Sequence, residues 1–220
     1  MTDTSLPWDI IAPPAILSLL AVTALVFSDY RGITAGRFLC KPIAAAAFIW
    51  LALALGATHS TFGLWMLAAL ALCMVGDICL MFEQDKAFLA GLGAFLCGHL
   101  LFAVAFVQLP PNPTGLLLSL VPGLLLMGLV GRWLHPHVPS EMKIPVALYV
   151  IVITGMLLCA GLTAGTAPAT LIIAGAWGFA ASDLAVARRQ FVDPSPANAL
   201  WGTPLYFGSQ MVLATSIALA

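Results

Sequence analysis

Three ionisable side chains lie within strongly apolar stretches of the sequence, namely Asp77, Asp183 and His99. Inserting an Asp at the centre of a membrane helix costs roughly 2.5–3.5 kcal/mol, so each of these groups calls for a function or a partner. Two neighbouring carboxyl groups in a site of low dielectric constant do not both ionise easily. One then stays protonated and can act as a general acid, while the other stays anionic and can act as a base. Such a pair suits the hydrolysis of an acid-labile ether through an oxocarbenium-like transition state.

Other polar residues accompany these three and are the supporting candidates: Lys41, Tyr149, Ser182, Tyr206 and Gln210. Counted from the ends of the apolar runs at about 1.5 Å per residue, most of the polar groups fall in one half of a membrane. The sequence therefore predicts a polar pocket that opens toward the cytoplasmic leaflet. Structural alternatives stay open: a topology anchor for the lysine, an interfacial belt for the tyrosines, and a hydrogen bond between helices for the histidine.

Small residues surround the candidate pocket in the sequence: Gly91, Gly98, Gly175, Ala176, Gly178 and Ala180. Small side chains let membrane helices approach closely. They also leave volume that an acyl chain can fill. The pattern fits either role.

The elements that must position these groups are membrane helices. Of the 220 residues, 62% are hydrophobic and only 8% are charged, and the net charge is −1; the mean hydropathy is +1.06. A soluble domain carries about a quarter charged residues, so the composition excludes a soluble globule, a disordered chain and a nucleic-acid binder. We predict an all-α polytopic membrane protein with one integral membrane domain, 1–220. Its eight predicted spans are 11–28, 42–57, 63–82, 87–109, 114–131, 144–164, 167–187 and 199–219.

The basic residues fall only in alternate connections between these spans. They are Arg31, Arg37 and Lys41, then Lys86, then Arg132 and Lys143, and finally Arg188 and Arg189. Lys and Arg concentrate on the cytoplasmic side of a membrane, so both termini are expected on the non-cytoplasmic side. The bilayer is expected to be a bacterial inner (plasma) membrane.

A 4+4 parallel repeat is a further possibility. Lys41-Pro42 and Lys143-Ile144-Pro145 open two spans, and Gly76-Asp77 and Ser182-Asp183 lie near the ends of two others. Four spans separate the members of each pair, so the two copies would share one orientation. Alternatively, Lys followed by Pro is simply a common start of a helix.

The sequence offers little support for several other chemistries. The five cysteines suit free, buried thiols, and His135-Pro136-His137 suits a loop without a third metal ligand nearby. No Gly-x-Ser-x-Gly elbow is present. We expect no cofactor and no metal. Two rivals stay open: a zinc-dependent lipid hydrolase using His99 with both aspartates, and a transporter or lipid-binding protein using the aspartates as a proton relay.

Four segments together resemble the YhhN-type lysoplasmalogenases: GDICLMF, FLAGLGAFLCGHLLFAVAF, ASDLAVARR and LYFGSQMVLA. The shared pattern is Gly-Asp, Gly-x-x-x-Phe-x-x-x-His, Ser-Asp and a closing Tyr-x-x-x-Gln, and it runs from about Lys41 to the C-terminus. The closing motif departs from the more usual Tyr-Tyr-x-x-Gln, because Phe207 replaces the second tyrosine.

The resemblance implies an eight-span enzyme that cleaves the vinyl ether of lysoplasmalogens, lysophospholipids of the ethanolamine or choline type. It implies that Asp77 and Asp183 act as acid and base. In the mechanism we expect, Asp77 protonates the vinyl carbon and Asp183 stabilises the oxocarbenium ion and activates water. His99 or Tyr206 orients the partner carboxylate or the water, and Lys41 holds the phosphate as a point charge.

Overall fold

The computed structural model describes residues 6–220, which form long helices joined by short connections. The helices are α1 (Trp8–Arg31), α2 (Thr34–Ala54), α3 (Thr61–Cys79), α4 (Asp85–Phe106), α5 (Pro113–Leu134), α6 (Lys143–Leu162), α7 (Ala169–Phe191) and α8 (Ala197–Thr215). Three short 3₁₀ turns lie at Ala57–His59, Ser140–Met142 and Ser216–Leu219. No β-strand occurs in residues 6–220, so the predicted all-α class is confirmed.

Helices α1 to α7 are each long and apolar enough to cross a membrane, and the chain is a multi-pass membrane protein. The eighth predicted span, 199–219, differs from the others. It corresponds to α8, a helix of 19 residues, which is not among the seven helices that are apolar enough to span. The reason is that α8 carries several buried polar side chains, Asn198, Ser209, Gln210 and Thr215, which face protein rather than lipid.

The basic residues lie inside helix ends rather than in the connections where the sequence analysis put them. Helix α2 begins at Thr34 instead of residue 42, so that Arg37 and Lys41 belong to its first two turns. Long side chains with a terminal charge can reach the membrane surface from within a helix, so the helix need not stop at the charge. The Lys and Arg residues lie near the C-terminal ends of odd-numbered helices or the N-terminal ends of even-numbered ones. We call this end of the bundle the basic end.

The α1–α2 connection turns sharply at Gly32, which has a φ of 68°. This left-handed conformation is strained for most other residues. Arg37 Nε then lies 2.9 Å from Asp29 Oδ1 and ties the two helix ends together.

Helices that follow one another in the chain pack against one another, except that α4 packs on α6 rather than on α5. Helix α8 also packs on α1 and α2 and so closes the bundle. Five phenylalanines fill the core and are fully buried: Phe48, Phe102, Phe106, Phe179 and Phe207. Helix α5 packs on α6 and leaves a row of leucines exposed, as a helix bordering lipid does.

The small residues serve close helix packing. A Cβ added at Gly175 would lie 2.7 Å from Leu213 of α8, and one at Gly98 would lie 3.1 Å from Cys73 Sγ of α3. Likewise, a Cβ at Gly91 would lie 2.9 Å from Leu80. Of the two roles left open for these glycines, the contacts therefore favour packing over space for an acyl chain.

Candidate active site

A cavity of about 170 Å³ opens within the bundle, and α2 through α8 all contribute to its wall. Its lining comes mostly from the N-terminal halves of α2, α4, α6 and α8 and the C-terminal halves of α3, α5 and α7. The cavity therefore lies toward the basic end. Asp77 and Asp183 both line it, together with Lys41, Tyr149, Ser182 and Tyr206. The structure thus brings six of the eight candidate residues to one cavity wall.

Asp77 is almost fully buried, with 2% of its surface exposed. Tyr206 donates a hydrogen bond of 2.7 Å to Asp77 Oδ2, and Lys41 Nζ lies 3.4 Å from Asp77 Oδ1. The three residues come from α3, α8 and α2. Lys41 is thus engaged with a carboxyl group inside the cavity instead of standing free at the surface.

Asp183 has a different pair of neighbours. Tyr149 of α6 donates a hydrogen bond of 3.2 Å to Asp183 Oδ2. His99 Nε2 of α4 lies 3.2 Å from the same oxygen without forming a hydrogen bond to it. His99 is fully buried and is not part of the cavity lining, so it backs Asp183 from inside the protein.

The contact of the other ring nitrogen, Nδ1, shows which nitrogen of His99 carries a hydrogen. Nδ1 lies 2.7 Å from the carbonyl oxygen of Phe95. A carbonyl only accepts, so Nδ1 must carry a hydrogen. In a neutral imidazole Nε2 then bears a lone pair, and this nitrogen lies 3.2 Å from the Asp183 carboxyl oxygen.

Aromatic rings hold these groups in position. The rings of Phe179 and His99 stack with centroids 4.2 Å apart, and Phe179 also contacts Tyr206 at 5.5 Å. Phe95 packs edge-on against Tyr206 at 5.7 Å. Because the rings are packed on several sides, the hydroxyl and imidazole groups have little freedom to leave the two aspartates.

The two remaining candidates have other surroundings. Ser182 lines the cavity, but its hydroxyl donates to the Phe179 carbonyl at 2.7 Å within α7. Gln210 is fully buried one turn beyond Tyr206, outside the cavity lining. Neither polar atom of its side chain has a hydrogen-bond partner among residues 6–220.

Sequence reasoning missed five polar residues of the cavity wall: Thr154, Arg189, Gln190, Asn198 and Thr203. Arg189 was counted only as a topology charge, yet its position six residues after Asp183 on the same helix was a usable signal. It also missed Phe179, because a phenylalanine in an apolar run carries no distinguishing mark.

The part of the chain that the structure describes gives little support to a metal site. Over residues 6–220, no group of three or more His, Cys, Asp and Glu side chains could hold a metal ion. His99 and the two aspartates do not form such a group, because each aspartate has its own partners. His137 Nδ1 lies 3.0 Å from the carbonyl of Trp133, beside a turn, as expected for a loop residue.

Apolar helices around a shared cavity with two carboxyl groups define a multi-pass membrane protein with a polar site inside the bundle. The chain belongs to the YhhN family, whose model matches residues 36–217. This match includes each of the candidate residues named above.

Several curated proteins are similar to the chain. Lysoplasmalogenase TMEM86B of Homo sapiens is 32% identical over 178 residues, which cover 80% of this chain and 72% of that protein. Lysoplasmalogenase TMEM86B of Sus scrofa is 32% identical over 150 residues, covering 68% of this chain and 62% of that protein. A lysoplasmalogenase of Mycobacterium tuberculosis is 31% identical over 141 residues, covering 62% of this chain and 53% of that protein. No solved structure gives a significant match.

Proposed function

We propose that this protein is a lysoplasmalogenase-like hydrolase that cleaves the vinyl ether bond of 1-alkenyl lysophospholipids. The observation that carries the proposal is the pair of aspartates that line one cavity, each with its own two hydrogen-bonding or charged neighbours. The names of the similar proteins supply the bond that this acid–base pair would cleave. The products are a fatty aldehyde and a glycerophospho-base of the ethanolamine or choline type.

The cavity suits a substrate with a long apolar chain. Its wall on the α5 and α6 side is mainly aliphatic, with Tyr149 and Thr154 as its polar members. The aliphatic residues are Leu126, Val130, Leu134, Val146, Val150 and Ile153. The carboxyl groups come from α3 and α7. An alkenyl chain along the aliphatic wall would bring its vinyl ether to the aspartates.

The contacts favour Asp183 as the general acid, the reverse of the assignment expected from the sequence. With His99 neutral, Asp183 has a phenol donor at 3.2 Å, and its described neighbours include no cation. A carboxyl group without a cationic neighbour keeps its proton more readily in a site of low dielectric constant. Asp77 instead has an ammonium group at 3.4 Å and a phenol donor at 2.7 Å, which both stabilise a carboxylate.

The first half of the reaction forms a hemiacetal. Asp183 delivers its proton to the vinyl carbon that does not bear the oxygen, and the electrons of the double bond form the new C–H bond. The resulting oxocarbenium ion is stabilised by the Asp77 carboxylate. Asp77 then takes a proton from the water that attacks the cationic carbon.

The second half restores both groups. Asp183, now a carboxylate, takes the proton of the hemiacetal hydroxyl group. Asp77, now protonated, gives its proton to the glycerol oxygen as the C–O bond breaks. One water has been consumed, and each aspartate has returned to its starting state.

We further propose that the protein lies in a bacterial plasma membrane with its basic end in the cytoplasm. The asymmetric distribution of Lys and Arg supports this orientation. Substrate would then enter from the inner leaflet.

The decisive experiment uses the purified protein in detergent micelles. Incubation with a vinyl-ether lysolipid is expected to release fatty aldehyde, whereas the saturated alkyl-ether analogue gives none, because it has no double bond to protonate. Binding of both lipids without product would contradict the proposal and favour a transporter or lipid-binding protein. Activity that disappears with a strong chelator and returns with zinc would instead favour a metal-dependent hydrolase.

A further inference from the structure

Two consecutive arginines end helix α7, and they have different surroundings. Arg188 Nη2 lies 3.4 Å from Asp193 Oδ2, an ion pair at the protein surface. Arg189 lines the cavity and has no ion pair among the described residues. Its side chain is solvent-exposed, so it stands where the cavity meets the aqueous phase.

Arg189 is also the cation of the cavity wall that remains available to a ligand. Four charged residues belong to the described lining: Lys41, Asp77, Asp183 and Arg189. Lys41 lies 3.4 Å from Asp77, so its charge is matched within the site. A phosphate placed near the Asp77 carboxylate would be repelled, whereas one placed near Arg189 meets an unmatched positive charge.

The spacing along α7 suits one end of a lysophospholipid. Arg189 follows Asp183 by six residues, a rise of roughly 9 Å along the helix. Side chains on a helix lean toward its N-terminus, so the guanidinium group leans back toward the cavity. In the substrate, the three-carbon glycerol unit separates the vinyl ether oxygen from the phosphate. A vinyl ether at Asp183 therefore leaves the phosphate within reach of Arg189.

We propose that Arg189 binds the phosphodiester of the substrate and sets the depth at which the alkenyl chain enters the cavity. This inference rests on the proposed function. It replaces Lys41 with Arg189 as the phosphate ligand. A guanidinium group donates two parallel hydrogen bonds to phosphate oxygens, which fixes both the position and the orientation of the headgroup.

The test compares two substrates and two arginines. One substrate is a 1-alkenyl lysophospholipid, and the other is 1-alkenylglycerol, which keeps the vinyl ether and lacks the phosphate. Arg189→Gln is expected to raise KM for the phospholipid roughly 10- to 100-fold, with little change in kcat, and to leave KM for 1-alkenylglycerol unchanged. Arg189→Lys should recover part of the affinity. Arg188→Gln is the matched control and should alter KM for both substrates by less than about twofold.

An equal rise in KM for both substrates, or no rise for either, would overturn the phosphate role. The same holds if Arg188→Gln behaves like Arg189→Gln. Failure of the unaltered protein to cleave either substrate would contradict the proposed function instead. The inference is then tested by binding: the saturated alkyl-ether lysophospholipid should bind Arg189→Gln more weakly than the unaltered protein, and alkylglycerol should bind both equally. Equal binding of the phospholipid by both would overturn it.

Discussion

The two aspartates have neighbours of different chemistry in positions that correspond. Asp77 of α3 contacts Lys41 of α2 and Tyr206 of α8. Asp183 of α7 contacts Tyr149 of α6 and His99 of α4. Each carboxyl group thus receives one phenol hydroxyl, but its second neighbour is an ammonium group in one case and an imidazole in the other.

This correspondence follows the helix equivalence of the predicted 4+4 repeat. If α2, α3 and α8 are matched with α6, α7 and α4, each helix of the first set is four places from its counterpart. The packing of α4 on α6 then matches that of α8 on α2. The repeat itself stays a prediction. The comparison shows one arrangement of helices holding two carboxyl groups, one beside an ammonium group and the other beside an imidazole.

Removing either carboxyl group should have the largest effect. Asp77→Asn and Asp183→Asn are each expected to lower kcat by about 10²–10⁴-fold, because one loses the base and the other the acid. The measurement is aldehyde release by the purified variants, each of which is first checked for normal insertion in the membrane. Glu83→Gln, an exposed acidic residue outside the cavity lining, is the control and should keep full activity. Near-normal turnover by both Asn variants would remove the acid–base mechanism.

Infrared spectroscopy can test which of the two aspartates carries a proton. We expect a carbonyl stretching band from a protonated carboxyl group in the resting protein. Asp183→Asn should abolish this band, whereas Asp77→Asn should leave it, since the contacts of Asp77 favour a carboxylate. A band that vanishes with Asp77→Asn and persists with Asp183→Asn would reverse the roles.

The smallest expected effects come from the two phenol hydroxyl groups. Tyr206→Phe should lower kcat by about tenfold, and Tyr149→Phe by about threefold. The order follows the hydrogen-bond lengths, 2.7 Å to Asp77 against 3.2 Å to Asp183. Because each Phe keeps the ring, steady-state kinetics should report the loss of the hydroxyl alone. Equal effects would mean that the two bonds have the same weight in catalysis.

Much of the fold was predictable because membrane helices depend mainly on the hydropathy of their own sequence. The helix ends were harder to predict, since Arg37 and Lys41 lie within α2 although their charges interrupt the apolar run. Helix α8 was difficult to predict for a different reason. Its low hydropathy results from polar groups such as Asn198 and Gln210, which are buried against other helices.

Parts of the candidate site were also predictable, because Asp77, Asp183 and His99 are conspicuous among apolar neighbours. Which group contacts which was not predictable, since Tyr206 and Asp77 are 129 residues apart in the chain. The role of Arg189 depends on the absence of a local partner, and a sequence alone cannot distinguish it from Arg188, which has one.

The polarity of α8 has a consequence for how the protein is assembled. A segment of such low hydropathy gains little from lipid on its own, so its place in the bilayer depends on docking against α1, α2 and α7. Tyr206 and the neighbouring cavity wall arrive with that helix. A nascent chain therefore completes the proposed acid–base site only when the eighth helix joins the others.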